Sequence, residues 1–206
     1  MSHPAADRIV GLYQDKAADW IRDRGDALSR HQGDWDEVDW LDRFTEGWPP
    51  GARVLDVGCG SGWPMGGALL ERGFKVVGLD ASPGLIAHAR ETLPKGDWRV
   101  GDMRDGLPDG AFHGVLAWHS LFHLTPEAQT AVLPALAARV TPGGRLMFTA
   151  GPAHGEAIGE WRGEALYHGS LDPDAYRALL TEADLTVENA GDNGVWLGRR
   201  AILSAK

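Results

Sequence analysis

The stretch VLDVGCGSGWP, residues 54–64, constrains the fold more than any other part of the chain. An apolar run passes straight into Gly58, Gly60 and Gly62 and then into a helical pattern. Glycines let a backbone turn sharply and approach a bound molecule, and in open α/β sheets ligands bind at the carboxyl ends of the strands. A GxGxG pattern alone also fits any tight strand-to-helix turn, so the neighbouring segments must decide. The dinucleotide fingerprint needs a third glycine three residues after Gly60, but that place holds Trp63, too large to pack a helix closely against a pyrophosphate. A nicotinamide cofactor is therefore disfavoured.

From residue 53 onward, short apolar runs alternate with longer helical patterns, the mark of a parallel sheet flanked by helices. The strand candidates are 54–57, 75–79, 99–100, 114–118 and 145–149, mostly continuous in their apolarity, as strands buried on both faces should be. Helices are expected over 64–72, 83–93 and 126–140, each opened by a proline suited to a first helical turn, and over 173–183. Two further strand-like runs, 185–189 and 195–203, flank a Gly191-Asp192-Asn193-Gly194 turn and read as a closing hairpin. Residues 4–48 look like two helices, and 151–170 is a glycine-rich excursion with a tryptophan, a tyrosine and two histidines. Both segments are placed to cover a pocket. The acidic cluster Asp34, Asp36, Glu37, Asp39 and Asp42 is expected to be a solvated face.

With 206 residues the chain has the length of a single domain, 1–206. Lys+Arg 20 against Asp+Glu 29 gives a net charge of -9, which repels a phosphate backbone, so no nucleic-acid partner is expected. No apolar run reaches the length of a membrane span, and MSHPAADRIV lacks the basic and apolar regions of a signal peptide. A cytoplasmic protein without a membrane partner is the expectation. The one cysteine, Cys59, makes no intramolecular disulfide, and inside the glycine loop it reads as a packing choice.

Three further features support a ligand at this loop, the first two of them a nucleoside. Asp80, in VVGLDAS, stands 20 positions after Gly60, where a carboxylate accepts hydrogen bonds from ribose hydroxyls. Gly101-Asp102-Met103 follows the third strand, with a carboxylate suited to an exocyclic adenine amine and an apolar side chain to lie on the base. AWHSLFHL then brings Trp118, His119, Ser120, Phe122 and His123 to the mouth of the same crevice, where a transferred group meets its acceptor.

With these motifs the chain resembles the class I S-adenosylmethionine-dependent methyltransferases: VLDVGCGSG is similar to their motif I, LDAS to the acidic end of their second strand, GDM to the segment after the third, and TPGGRLMFT to the entry of the fifth. The likeness spans most of residues 8–203, and is greatest to small-molecule enzymes with an N-terminal helical lid. It implies a Rossmann-like, seven-stranded, mostly parallel sheet with the last strand antiparallel and helices on both faces. It also implies S-adenosyl-L-methionine as cofactor and S-adenosyl-L-homocysteine as product. The cofactor residues it implies are Asp56, Gly58, Gly60, Asp80 with Ala81 and Ser82, Asp102, Met103 and Trp118, with Asp56 near the methionine amino group.

Tyr13, Ala17, Trp20 and Arg24 recur at spacings of four, three and four, which puts two aromatics and a cation on one helical face. In a lid over 1–48, Tyr13 and Trp20 exclude water from a sulfonium and Arg24 meets a carboxylate; the plain alternative is an amphipathic helix covering the sheet. His119 and His123 are the candidates for a general base, since an unperturbed imidazole titrates near neutral pH. For His123 a packed ring bonded to a backbone carbonyl is the alternative. Their four-residue spacing also suits a shared metal, but no supporting ligand set accompanies them and no metal is expected. Trp161, Tyr167 and His168, in the substrate-side insertion 151–170, are candidates for lining the acceptor pocket.

The resemblance implies methyl transfer to an oxygen, nitrogen or carbon nucleophile of a small metabolite by a monomer or homodimer. Two alternatives stay open at this point: a cofactor-binding protein or inactive partner subunit, and a pericyclic or isomerising enzyme on the same scaffold.

Overall fold

The computed structural model describes residues 3–29, 36–191 and 193–202. Seven strands form one sheet in the order β3-β2-β1-β4-β5-β9-β8: β1 (Arg53–Val57), β2 (Lys75–Asp80), β3 (Asp97–Val100), β4 (Phe112–Ala117), β5 (Val140–Thr149), β8 (Leu185–Ala190) and β9 (Val195–Arg200). The pairings from β3 through β5 are parallel, and β9 alone runs against its two neighbours, closing the sheet as a hairpin with β8. Every expected strand is present. Of the closing turn, Asp192 lies outside the described residues, as does Leu203 at the end of the last expected strand.

The sheet is buried on both faces because apolar side chains occupy both sets of alternating positions. On one face Leu55, Val77, Val115 and Leu146 pack beneath α7 (Pro126–Ala138) and α8 (Pro173–Glu182). On the other, Val54, Val76, Leu116 and Met147 pack beneath α4 (Glu37–Thr45), α5 (Met65–Glu71) and α6 (Pro83–Thr92). Ser82, Thr125 and Asp172 cap α6, α7 and α8, each followed by a proline at the start of the helix. Pro64 differs from the expectation: it occupies the cap position, and α5 starts at Met65.

Gly62, Gly66 and Gly78 surround the Trp98 indole, and a Cβ built on them would lie 2.9, 2.6 and 2.2 Å from its ring atoms. Gly62 therefore answers to the packing of β3 on α5.

Among its described residues the amino-terminal segment contains four helices where two were expected: α1 (Pro4–Asp7), α2 (Ile9–Asp15), α3 (Ala17–Arg24) and α4. Lys16 leaves the helical region, with φ -107 and ψ 20, yet bonds from Lys16 N–H to Leu12 O and Trp20 N–H to Lys16 O bridge the break. Tyr13 and Trp20 consequently stay on one face, with ring centroids 5.2 Å apart. The 151–170 excursion is an ordered hairpin, β6 (Gly155–Trp161) with β7 (Glu164–Ser170). Its two-residue turn, Arg162-Gly163, has φ 53 and φ 78, the two positive values that a tight hairpin turn requires.

Candidate active site

Parallel strands deliver their carboxyl ends to one edge, and the order β3-β2-β1-β4 reverses direction of winding between β1 and β4, where open α/β sheets have their crevice. The loops after β1, β2, β3 and β4 line a cleft there. Gly58 forms its floor. Its φ of 71 suits glycine, and a Cβ there would fall 2.2 Å from the Ser120 Cβ. Ser120 donates from its hydroxyl to Val57 O at 2.7 Å, tying the loop after β4 to the end of β1.

Asp80 ends β2 facing the cleft. One carboxylate oxygen accepts from Gly60 N–H and the other from Ser82 N–H, each at 2.8 Å. Burial raises its pKa, and these two N–H groups oppose the rise by holding the charge. Asp56, one strand away, is pushed up to about 7 by burial and by Asp80. Asp102 is held below the usual carboxylate range by Arg104, which donates to both of its oxygens. Burial pushes the Cys59 thiol well above its usual value, so this cysteine sits protonated in the core.

The roof is the amino-terminal helices. Gln14 of α2 accepts through its side-chain oxygen from the Ser82 hydroxyl at 3.0 Å and from Gly84 N–H at 3.1 Å, docking the roof on α6. Above the glycine loop, a Cβ on Gly60 would lie 3.2 Å from the Trp20 Nε1. Tyr13 lies 2.8 Å from His123 Nε2, and His123 Nδ1 lies 2.9 Å from Tyr167 O. A carbonyl only accepts, so Nδ1 carries the proton and the Tyr13 hydroxyl donates to Nε2. Burial lowers His123 to about 4 and His119 likewise to about 4, so both rings are neutral at physiological pH.

His119 takes φ 51, an uncommon conformation for a residue with a Cβ, and its N–H donates to Thr149 Oγ1 at 2.9 Å. It faces both the cleft and an adjoining chamber bounded by Arg24, Glu37, Phe122 and His168. Tyr13, Trp20, His119 and His123 line both spaces and stand between them.

Of the expected cofactor residues, Tyr13, Trp20, Gly58, Gly60, Asp80, Ala81, Ser82, Asp102 and Met103 line the cleft. Three do not: alternation along β1 and β4 turns Asp56 and Trp118 to the α4–α5 face, and Arg24 lies at the end of α3. Asp56 is buried below α5, its Oδ2 3.6 Å from a Cβ built on Gly66. Trp118 is buried and donates from Nε1 to Glu37 at 2.8 Å. Arg24 lines the chamber and is paired with Glu37.

Among the expected acceptor residues, His168 lines the chamber, whereas Tyr167 points to the opposite face of β7 and packs on Ala6 and Ile9. Trp161 lies behind Tyr13 and Trp20, at ring distances of 6.1 and 6.0 Å, and donates to Asp23. Glu37 corrects the expectation of a solvated acidic face. It is 2% exposed, accepting from Arg24, from Trp118 and from Ser29 N–H at 2.8 Å. Asp34 lies outside the described residues. Sequence reasoning missed Gln14 as well. A glutamine on a polar helix surface carries no signal of the helix end it meets.

The methyltransferase-domain family matches residues 54–144. The ubiquinone biosynthesis O-methyltransferase of Xanthomonas axonopodis pv. citri is 36% identical over 107 residues, which is 49% of this chain and 44% of that relative, so the chain spans less than half of its length. The magnesium-protoporphyrin O-methyltransferase of Rhodobacter capsulatus is 33% identical over 159 residues, 73% of this chain and 67% of that one. The solved structure of magnesium protoporphyrin IX methyltransferase from Synechocystis PCC 6803 with bound S-adenosylmethionine superposes with a TM-score of 0.70 at 19% identity, covering 97% of this chain and 99% of that chain. With the glycine loop, the acid ending β2 and the single reversed strand found together, and a relative one-third identical across two thirds of its own length, the chain belongs to the class I S-adenosylmethionine-dependent methyltransferase family.

Proposed function

We propose that this chain transfers the methyl group of S-adenosylmethionine to an oxygen, nitrogen or carbon nucleophile of a small molecule. The observation that carries this reading is a pair of adjoining spaces, the cleft below Asp80 and the chamber beside it, with Tyr13, Trp20, His119 and His123 lining both. One space suits a cofactor and the other an acceptor.

The cleft residues fit the cofactor by their chemistry. Each Asp80 oxygen already takes one N–H, and its second lone pair is available to a ribose hydroxyl. Asp102 and Met103 offer an acceptor and an apolar surface to an adenine, while Gly58 and Gly60 leave room for the methionine part. Asp80, its charge held by the Gly60 and Ser82 N–H groups, presents a carboxylate to a ligand carrying a sulfonium and an ammonium. When bound, S-adenosylmethionine supplies an already activated methyl carbon. The chain's own residues align the acceptor and exclude water, and alignment alone accounts for roughly 7 to 11 kcal/mol of barrier reduction. His119, facing both spaces, takes a proton from an acceptor that carries one; His123, fixed between Tyr13 and Tyr167, orients the Tyr13 hydroxyl between the two spaces.

Residues 1–206 act as one unit in this account, with 1–48 as lid and 151–170 as a substrate-side insertion, and the protein works as a monomer or homodimer in the cytoplasm. In support, Asp23 of α3 pairs with Arg162 of the hairpin turn at 2.7 Å, so lid and insertion close over the chamber together. Among the described residues no helix is long and apolar enough to cross a membrane. The test is turnover: methyl-labelled S-adenosylmethionine is incubated with a panel of small hydroxyl, amine and carboxylate acceptors. S-adenosylhomocysteine is expected to accumulate in step with labelled product. Cofactor binding with no transfer to any acceptor points to a binding subunit, and product without S-adenosylhomocysteine points to an isomerising reaction.

A further inference from the structure

Granting the reading above, we propose that the acceptor is uncharged where it binds, a flat and largely aromatic molecule presenting a hydroxyl, and that the Arg24–Glu37 pair selects for it. The chamber's apolar wall comes from Trp20, Phe122 and Leu166, with His168 beside Phe122 at a ring distance of 5.1 Å. Such surfaces take a flat ring.

Among the described residues that line the chamber, the charges cancel within the protein. Among the described residues that line it, Arg24 and Glu37 carry the only permanent charges, and they are bonded to each other. Their side chains are 18% and 3% exposed. Glu37 also accepts from Trp118 and Ser29, so its oxygens are occupied from three directions. The imidazoles of His119, His123 and His168 are all lowered by burial and add no charge at neutral pH.

A carboxylate acceptor would need the Arg24 guanidinium, and taking it would leave Glu37 buried without its counter-ion. An ammonium acceptor would need Glu37 and leave Arg24 uncompensated. Breaking a buried pair from one side is strongly unfavourable. A hydroxyl requires neither, since it needs one hydrogen-bond acceptor and later a proton acceptor. As the hydroxyl oxygen bonds to the methyl carbon, the carbon–sulfur bond breaks with its electron pair left on sulfur. The hydroxyl proton passes to the His119 imidazole, which releases it to water. Arg24 and Glu37 lie close enough to His119 to act on its charge in opposite directions.

Three probes with one ring system test the proposal: 2-naphthol, 2-naphthoate and 2-naphthylmethylammonium, titrated calorimetrically into the protein with and without saturating S-adenosylhomocysteine. Naphthol is expected to bind at least tenfold more tightly than either ion. In Glu37→Gln, whose one carboxamide oxygen can still accept from Trp118 while the Ser29 N–H loses its acceptor, naphthoate should gain at least tenfold. In Arg24→Gln the gain should pass to the ammonium probe. Equal or tighter binding of either ion to the wild type, no binding of naphthol, or an unchanged ranking in the variant that folds overturns the proposal. Failure to bind S-adenosylhomocysteine overturns the methyl-transfer reading instead, while the probe ranking on the protein alone still decides the charge selection. Should Glu37→Gln not fold, as judged by circular dichroism, the wild-type ranking and Arg24→Gln carry the decision.

Discussion

Asp80 performs two tasks with one carboxylate: it fixes the glycine loop through Gly60 N–H and caps the turn into α6 through Ser82 N–H, while still facing the cleft. Asp80→Ala is therefore expected to weaken S-adenosylhomocysteine by about 1.5 to 3 kcal/mol, the scale of hydrogen bonds to a charged group. Calorimetry checks this, and an unchanged affinity removes Asp80 from the ribose site. His119 carries the second prediction. Its folded-state pKa of about 4 lies below the ordinary 6.5, so the ring accepts a proton throughout the neutral range and loses that ability only as pH falls through about 4. The acidic limb expected near 6.5 from an unperturbed imidazole is thus displaced downward by burial. With a hydroxyl acceptor, His119→Ala should lower kcat by about 10² to 10⁴ with cofactor affinity nearly intact. Because φ is 51, His119→Gly should be more stable than His119→Ala by about 1 kcal/mol in urea unfolding. Equal stabilities would show that this backbone is not strained. At this scale Asp80, Asp102 and Met103 were legible because strand ends announce themselves in apolar patterning. Glu37 was not: its neighbours Asp36 and Asp39 suggest a solvated face, and nothing local reports that Arg24 and Trp118 converge on it.

At the level of elements, α1, α2 and α3 of the lid are held at several places, among them Gln14 on the start of α6, Tyr13 on His123, Ala6 and Ile9 on Tyr167, and Asp23 on the turn of the β6–β7 hairpin. None of α1, α2 and α3 pairs with the main sheet, so these contacts and the cleft beneath them hold the lid in place. Hydrogen exchange over residues 4–24 is expected to slow when S-adenosylhomocysteine is added. Gln14→Ala, which removes the acceptor for both Ser82 and Gly84, should speed exchange in the same segment and shorten cofactor residence several-fold. Exchange insensitive to both changes would make the helices fixed scaffold. The helical spacing of Tyr13 and Trp20 was readable because their period survives the break at Lys16. The hairpin was not, since β6 is largely exposed and lacks alternating apolarity. Its turn uses an arginine where asparagine is usual, and Asp23 holds that arginine from far away in the sequence.

For the molecule as a whole, the sheet was legible strand by strand, because a sheet buried on both faces must write its strands as continuous apolar runs and its connections as helices. The crevice position followed from that order alone. What stayed hidden was everything made by meeting surfaces: the glycine nest around Trp98, the Arg24–Glu37 pair, and the second space beside the cleft. The central claim is that this crevice holds S-adenosylmethionine at the Asp80 end, and titration calorimetry with S-adenosylhomocysteine and NAD in parallel tests it without knowledge of the acceptor. The account predicts a one-to-one isotherm for S-adenosylhomocysteine and no heat of binding for NAD, for which Trp63 leaves no glycine at the third position of the fingerprint. Saturable NAD binding with no response to S-adenosylhomocysteine would contradict it.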